Sequence, residues 1–243
     1  MSKTTAVLIP GNMCDARMWR GSNDALRAAL GRHEIAKVID ADTTRDATIF
    51  GMADRALKQT RGKLLLVGFS MGAIVALQMA QQQPERIAGL VLIGLNAGAD
   101  VPERAAHRPQ QQAEVRGGGL ERVLIEELKP HYLAQQNRGD AALLTLLRDM
   151  GMALGPEVFV AQSEALRTRP DLRPVLRGYP GPVLLMCGTE DSLCPPDWHR
   201  DWAALAQDSV LLEIAEAGHM LPLEDAPAVA SALDGWLRKK ELA

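Results

Sequence analysis

The chain has 243 residues, enough for one large α/β domain or two small ones with a full core. Its 47% hydrophobic and 23% charged content is that of an ordinary globular protein, and a net charge of −3 argues against nucleic acid or an anionic membrane as partner. No apolar run reaches bilayer-spanning length, the start M-S-K-T-T-A-V-L-I-P lacks a signal-peptide core, and Cys14, Cys187 and Cys194 lack metal or redox spacing, so a cytoplasmic protein without disulfides or zinc is expected.

Thr5 to Pro10 (T-A-V-L-I-P) reads as a buried strand ended by Pro10-Gly11. Asn12 to Met18 is expected as a loop, Trp19 to Leu30 as a helix and Glu34 to Ile39 as a second strand. Ile49 to Lys58 puts Ile49, Met52, Ala53, Ala56 and Leu57 on one helical face. Leu64 to Val67 is a continuous apolar run, as in a central parallel strand covered on both sides. Gly68-Phe69-Ser70-Met71-Gly72 follows at once, and Ala73 to Ala80 has helical spacing with no breaker before Pro84.

Strand, G-x-S-x-G and helix form the nucleophile-elbow pattern. A serine at the apex of so tight a turn must adopt a strained, positive φ. Side chains two before and two after it would strike the neighbouring backbone, so Gly68 and Gly72 fit there. The turn lifts the Ser70 hydroxyl clear of the sheet and aims the first N–H groups of the helix at any oxyanion beside it.

Ile87 to Ile93 is the next expected strand. Strand signals then vanish, and helices are expected over Pro102 to Arg116, Leu120 to Leu128, Asp140 to Met150 and Pro156 to Thr168. Residues 97–180 therefore read as an all-helical cap inserted into a core of residues 1–96 and 181–243. The many arginines of the insertion, interspersed with Glu and Asp, read as a solvated mixed-charge surface. Val183 to Cys187 and Val210 to Ile214 resume the strands, with helices over Pro196 to Leu205 and Ala226 to Leu237. This alternation predicts an α/β fold whose parallel sheet binds ligands beyond the carboxyl ends of its strands.

Ser70 needs a base, and the base an orienting group. His33, His107, His131 and His199 read as surface or packing residues. His219, in A-E-A-G-H-M-L-P, directly follows the last strand beside Gly218 and is the expected general base. The orienting acid should also follow a strand; Asp191, in C-G-T-E-D-S-L-C-P-P, does so, with Glu190 the near alternative. The chain order Ser70, Asp191, His219 suits such a fold.

With these motifs the chain resembles α/β-hydrolase-fold proteins that carry a helical cap, and within them small bacterial esterases, pimeloyl-ester-type carboxylesterases and enol-lactonases. The likeness runs from V-L-I-P-G-N-M-C-D-A-R-M-W through G-F-S-M-G-A to A-G-H-M-L-P-L-E-D-A-P. It implies an oxyanion-hole turn at Pro10-Gly11, where His-Gly is common, with the N–H groups of Asn12 and Met71 as donors. Few residues precede the first strand, so a sheet of about six parallel strands is expected. The expected activity is cofactor-free and metal-free hydrolysis of a small to medium ester by a Ser70-His219-Asp191 triad, in a monomer or homodimer. Met13, Phe69, Met150, Met152 and Phe159 are candidate pocket residues. Lactone, thioester or carbon–carbon bond hydrolysis and perhydrolysis at the same triad are alternatives, as is a ligand receptor that merely keeps the fold.

Overall fold

Every second residue of the central strands faces the same side of a single sheet, and both sides are covered by helices. The computed structural model describes residues 4–33, 35–128 and 132–240. Among them β1 (Thr4–Ile9), β2 (Ile35–Asp40), β3 (Leu64–Phe69), β4 (Ile87–Ile93), β5 (Val183–Gly188) and β6 (Ser209–Ile214) pair in parallel, in the order β2-β1-β3-β4-β5-β6. The expectation of about six parallel strands holds. All residues of β3 and β5 are buried, whereas the edge strands β2 and β6 are only partly so.

Among the described residues ten α-helical segments surround the sheet: α1 (Arg20–Gly31), α2 (Ile49–Lys58), α3 (Met71–Gln82), α4 (Pro102–Glu114), α5 (Leu120–Arg122), α6 (Ala141–Arg167), α7 (Arg173–Gly178), α8 (Pro196–Leu205), α9 (Leu221–Glu224) and α10 (Ala226–Lys240). Val7, Ile9, Leu64, Leu66, Leu90, Leu92, Val183 and Leu185 pack on one side against α2, α3, α7 and α8. Ala6, Leu8, Leu65, Val67, Val91, Ile93, Leu184 and Met186 pack on the other, with Leu26 and Leu30 of α1 and Val229, Leu233 and Trp236 of α10. Period-two burial on two faces is what a doubly covered parallel sheet requires.

Between β4 and β5 the described residues contain helices and no strand. Part of this insertion builds an apolar cluster of its own from Val115, Leu120, Val123, Leu124 and Phe159, joined by Met13. Its end, including Ala165, Leu172, Leu176 and Tyr179, packs into the core beneath α3. The two helices expected over Asp140 to Met150 and Pro156 to Thr168 lie end to end within α6, separated by a kink where Gly155 leaves helical geometry with φ 84° and ψ 175°. Pro156 has no N–H to continue the ladder, which explains the bend. The short helices α7 and α9 were not expected from spacing; each is a single turn or so with proline near its start, Pro174 and Pro222. His131 and the Glu34 start of the second strand lie outside the described residues.

Candidate active site

Ser70 sits between β3 and α3 with φ 51° and ψ −115°. This is a strained conformation for a residue with a Cβ, and the flanking contacts hold it there. The Ser70 N–H donates to the Ile93 carbonyl at 2.8 Å, tying the turn to β4. A Cβ on Gly72 would lie 2.0 Å from the Ile9 carbonyl oxygen and 2.7 Å from that of Pro10, and one on Gly68 would lie 2.4 Å from the Gly72 oxygen. Glycine at 72 therefore lets the first turn of α3 press against the end of β1.

The His219 Nε2 lies 2.9 Å from the Ser70 hydroxyl, and its Nδ1 lies 2.7 Å from Asp191 Oδ2. A proton on Nδ1 leaves Nε2 as the acceptor for the serine O–H. Asp191 is 3% and His219 4% exposed, so this relay is shielded from water. The other carboxylate oxygen of Asp191 accepts the N–H groups of Leu193 (2.9 Å) and Cys194 (2.8 Å). Burial pushes the Asp191 carboxyl up, but His219 and the Cys194 N–H outweigh it and hold the carboxyl below its ordinary range. Glu190 turns away and accepts the Gln135 N–H at 2.8 Å. Adjacent residues point in different directions, and Asp191 is the one that meets the histidine.

The loop carrying His219 is clamped from the helical insertion. The N–H groups of His219 and Met220 both donate to the Tyr132 carbonyl, at 2.8 and 3.1 Å. Glu224 accepts from the Gly218, Ala134 and Asn137 N–H donors. A Cβ on Gly218 would fall 2.4 Å from the Ala134 nitrogen, so this close approach requires glycine.

Asn12 and Met71 line the same cavity as Ser70 and His219. Met71 opens α3, so its N–H has no acceptor within the helix. Among the described residues neither the Asn12 nor the Met71 backbone N–H is bonded to another protein group. The next N–H, that of Met13, is taken by Gln162 Oε1 at 2.8 Å, and the Asn12 side-chain amide donates to the same oxygen at 3.1 Å. Gln162 is fully buried, and nothing in the sequence near it signals this role.

The cavity has a volume of about 490 Å³. Of the five apolar side chains expected to line it, Phe69 does. The others depart from expectation: Met13 and Phe159 pack in the insertion's own core, Met150 is fully buried in the apolar core on one side of the sheet, and Met152 is exposed. The apolar part of the wall comes instead from residues such as Met71, Ile74, Leu128, Leu166 and Met220. Arg104, His107, Arg108 and Gln111 of α4 form a polar stripe on that wall, so the reading of its arginines as a merely solvated surface, and of His107 as a surface or packing residue, is corrected. Elsewhere in the insertion the mixed-charge reading holds: Arg122, Arg148 and Arg167 are engaged by neighbouring carboxylates.

His33 pairs with Asp234 away from the site. His199 packs in the interior and also bonds through both ring nitrogens. Its Nε2 accepts the Leu95 N–H at 3.0 Å and its Nδ1 donates to the Pro195 carbonyl at 3.2 Å. Trp202 Nε1 donates to the Leu95 carbonyl, so both peptide groups of that residue are fixed. Asp191, Cys194 and His219 form the one grouping of metal-ligand type among the described residues. Burial holds the Cys194 thiol well above its ordinary pKa, and both imidazole nitrogens are engaged, so the arrangement suits proton transfer better than metal ligation.

A family model described as the Alpha/beta hydrolase family matches residues 6–232. The biotin biosynthesis bifunctional protein BioHC of Teredinibacter turnerae is 24% identical over 98% of this chain and 45% of its own length. The pimeloyl-[acyl-carrier protein] methyl ester esterase of Klebsiella pneumoniae is 29% identical over 78% of this chain and 76% of its own. The chain spans less than two thirds of the first two curated relatives it matches, 45% and 64% of their lengths. The structure of a thermophilic esterase from Thermogutta terrifontis, with malate bound, superposes with a TM-score of 0.85 at 28% identity, covering 98% of this chain and 90% of that one. The sheet order and these likenesses make the fold that of an α/β hydrolase.

Proposed function

The chain belongs to the alpha/beta hydrolase family, and from that premise we propose that it is a serine hydrolase cleaving a carboxylic ester of a small to medium substrate. The observation that carries the proposal is the unbroken hydrogen-bond chain from Ser70 through His219 to Asp191, at 2.9 and 2.7 Å, beyond the carboxyl ends of parallel strands. Ser70 Oγ attacks the acyl carbon while His219 Nε2 takes its proton, and Asp191 stabilises the imidazolium. The oxyanion is received by the Asn12 and Met71 N–H groups. Such a donor contributes about 3 kcal/mol to lowering the barrier. His219 then protonates the leaving alcohol, and a water activated by the same imidazole attacks the acyl-enzyme, returning the proton to Ser70. Residues 97–180 act as the cap, with α4 closing the cavity over the nucleophile.

A fluorophosphonate probe tests the nucleophile. It is expected to label the wild type and not Ser70→Ala, and hydrolysis of p-nitrophenyl esters is expected to fall on the order of 10⁴-fold or more in that variant. A wild type that is neither labelled nor active would overturn the proposal. Running esters, lactones and acyl-thioesters in parallel separates the ester reading from its neighbours on the same triad.

A further inference from the structure

The cavity over Ser70 holds more positive than negative charge at one end. Arg104, His107, Arg108 and Gln111 lie at positions i, i+3, i+4 and i+7 of α4, a single helical stripe, and all four line the cavity. Arg169, from the segment after α6, lines it as well. Against these stands Asp100, whose side chain is 2% exposed; it receives Arg108 at 2.6 Å and Arg169 at 2.9 Å. One carboxylate is thus shared by two guanidiniums that are themselves 16% and 3% exposed.

Arg104 has no carboxylate at all within ion-pair distance among the described residues. It donates to the Leu193 carbonyl at 3.1 Å, which leaves further donors of its fork unengaged. Three guanidiniums against the two carboxylates of Asp100 and Glu127 leave this end of the cavity with an excess of one positive charge. Glu127 is bonded to Gln111 at 2.8 Å, His107 at 3.2 Å and Arg122 at 2.6 Å.

Two largely buried guanidiniums that share one carboxylate, beside a half-buried third that has none, leave positive charge that an arriving anion would pair with favourably. An arginine fork fits a carboxylate in a planar, two-bond geometry, and Asp100 already shows that fit within this wall. We infer that the substrate is an ester bearing a free carboxylate, which Arg104, supported by the Arg108–Asp100–Arg169 cluster, binds while the ester carbonyl lies at Ser70. This rests on the serine-hydrolase reading for the ester end, but the anion site stands on its own geometry. Asp100 serves to hold Arg108 and Arg169 in place, so the cluster meets its ligand already ordered.

Two measurements test the inference. The first compares mono-p-nitrophenyl glutarate with the neutral p-nitrophenyl valerate as substrates. The wild type is expected to favour the carboxylate ester in kcat/KM on the order of tenfold or more, and Arg104→Gln to erase that ratio, mainly through KM. Arg104→Lys, which keeps the charge but not the fork, is expected to retain part of it. A wild-type ratio near one, or a ratio unchanged in Arg104→Gln, would sink the proposal. The second uses glutarate alone, followed by thermal unfolding. Glutarate is expected to raise Tm for the wild type and for Ser70→Ala, but not for Arg104→Gln. If no ester is turned over, this arm still decides whether the anion site exists; no stabilisation of the wild type by glutarate overturns it.

Discussion

Gln162 accepts the Met13 N–H at 2.8 Å, joining two residues 149 positions apart. Met13 is held at φ 51°, and Gln162 Nε2 donates in turn to the Thr43 carbonyl at 3.2 Å. One buried amide thus ties the turn that carries Asn12 to α6 and to the loop after β2. Gln162→Leu removes the acceptor and leaves a buried N–H unsatisfied, which costs about 1–3 kcal/mol of stability. If that turn supplies an oxyanion donor, kcat should fall on the order of tenfold or more with KM little changed, because the lost interaction belongs to the transition state. Denaturant unfolding and steady-state kinetics on one ester read both effects. Lower stability with unaltered kcat would mean that Gln162 only supports the fold.

Asp191 gives a prediction in pH. Although burial opposes it, the carboxyl is held below its ordinary value of 3.8 by His219 and the Cys194 N–H. A depressed folded-state pKa means the unfolded chain binds the proton more readily. The contribution to stability is therefore complete above 3.8 and lost as pH falls through the lower, folded value. Asp191→Asn should make the acid limb of the stability curve shallower. Its kcat should drop by about 10⁴-fold, since the amide no longer enforces the Nδ1–H tautomer. Urea midpoints measured from neutral pH down into the acid range, alongside kcat, check the two consequences.

The parts of this molecule that were legible in the sequence are those set by neighbours in the chain. A four-residue apolar run, Gly68, Gly72 and an uninterrupted helix specify the turn at Ser70, because the steric demand is local. His219 and Asp191 were found by their positions just after strands. The role of Gln162 and the place of Arg104 on the cavity wall are not legible, because their partners are Met13 and Leu193, and only the closed tertiary structure brings them together; His199 reads as a packing residue and packs, but its bond to Leu95 is likewise tertiary. The methionines mislead for a related reason: an apolar residue in a helical insertion satisfies itself against other apolar residues of the insertion before it reaches the cavity. The stripe Arg104, His107, Arg108, Gln111 was present in the sequence, but a charged stripe on a helix normally faces water.

His199 provides a second pH dependence. Burial lowers its pKa from the ordinary 6.5, despite opposing help from the Pro195 carbonyl and Asp191. The unfolded chain therefore takes up this proton first as pH drops, and stability is lost on going below 6.5. Asp191 and Glu213 pull toward protonation and His219 pushes against it, so all three must be kept intact in the comparison. His199→Gln, which retains an acceptor for the Leu95 N–H, should be less stable at neutral pH yet lose less on acidification to pH values just below 6.5. Parallel slopes for the two proteins in that window would remove His199 as their cause.

Two glycines allow a prediction of opposite signs from one substitution. At Gly72 an added methyl lies 2.0 Å from the Ile9 carbonyl oxygen, a backbone atom in a fully buried strand end that cannot step aside cheaply. Gly72→Ala must displace α3 from β1, moving both Met71 and the Pro10-Gly11-Asn12 turn, and is expected to cost about 4 kcal/mol or more. Gly235 lies on the exposed side of α10, where a methyl would meet nothing within 4 Å. There Ala restricts the unfolded chain and favours the helix, so Gly235→Ala should add about 0.5–1 kcal/mol. For a chain of this length that corresponds to a rise in Tm of roughly 1–4 °C. Scanning calorimetry of both variants checks the pair. A Gly72→Ala protein that melts with the wild type would show that the end of β1 yields easily, and with it the turn bearing Asn12.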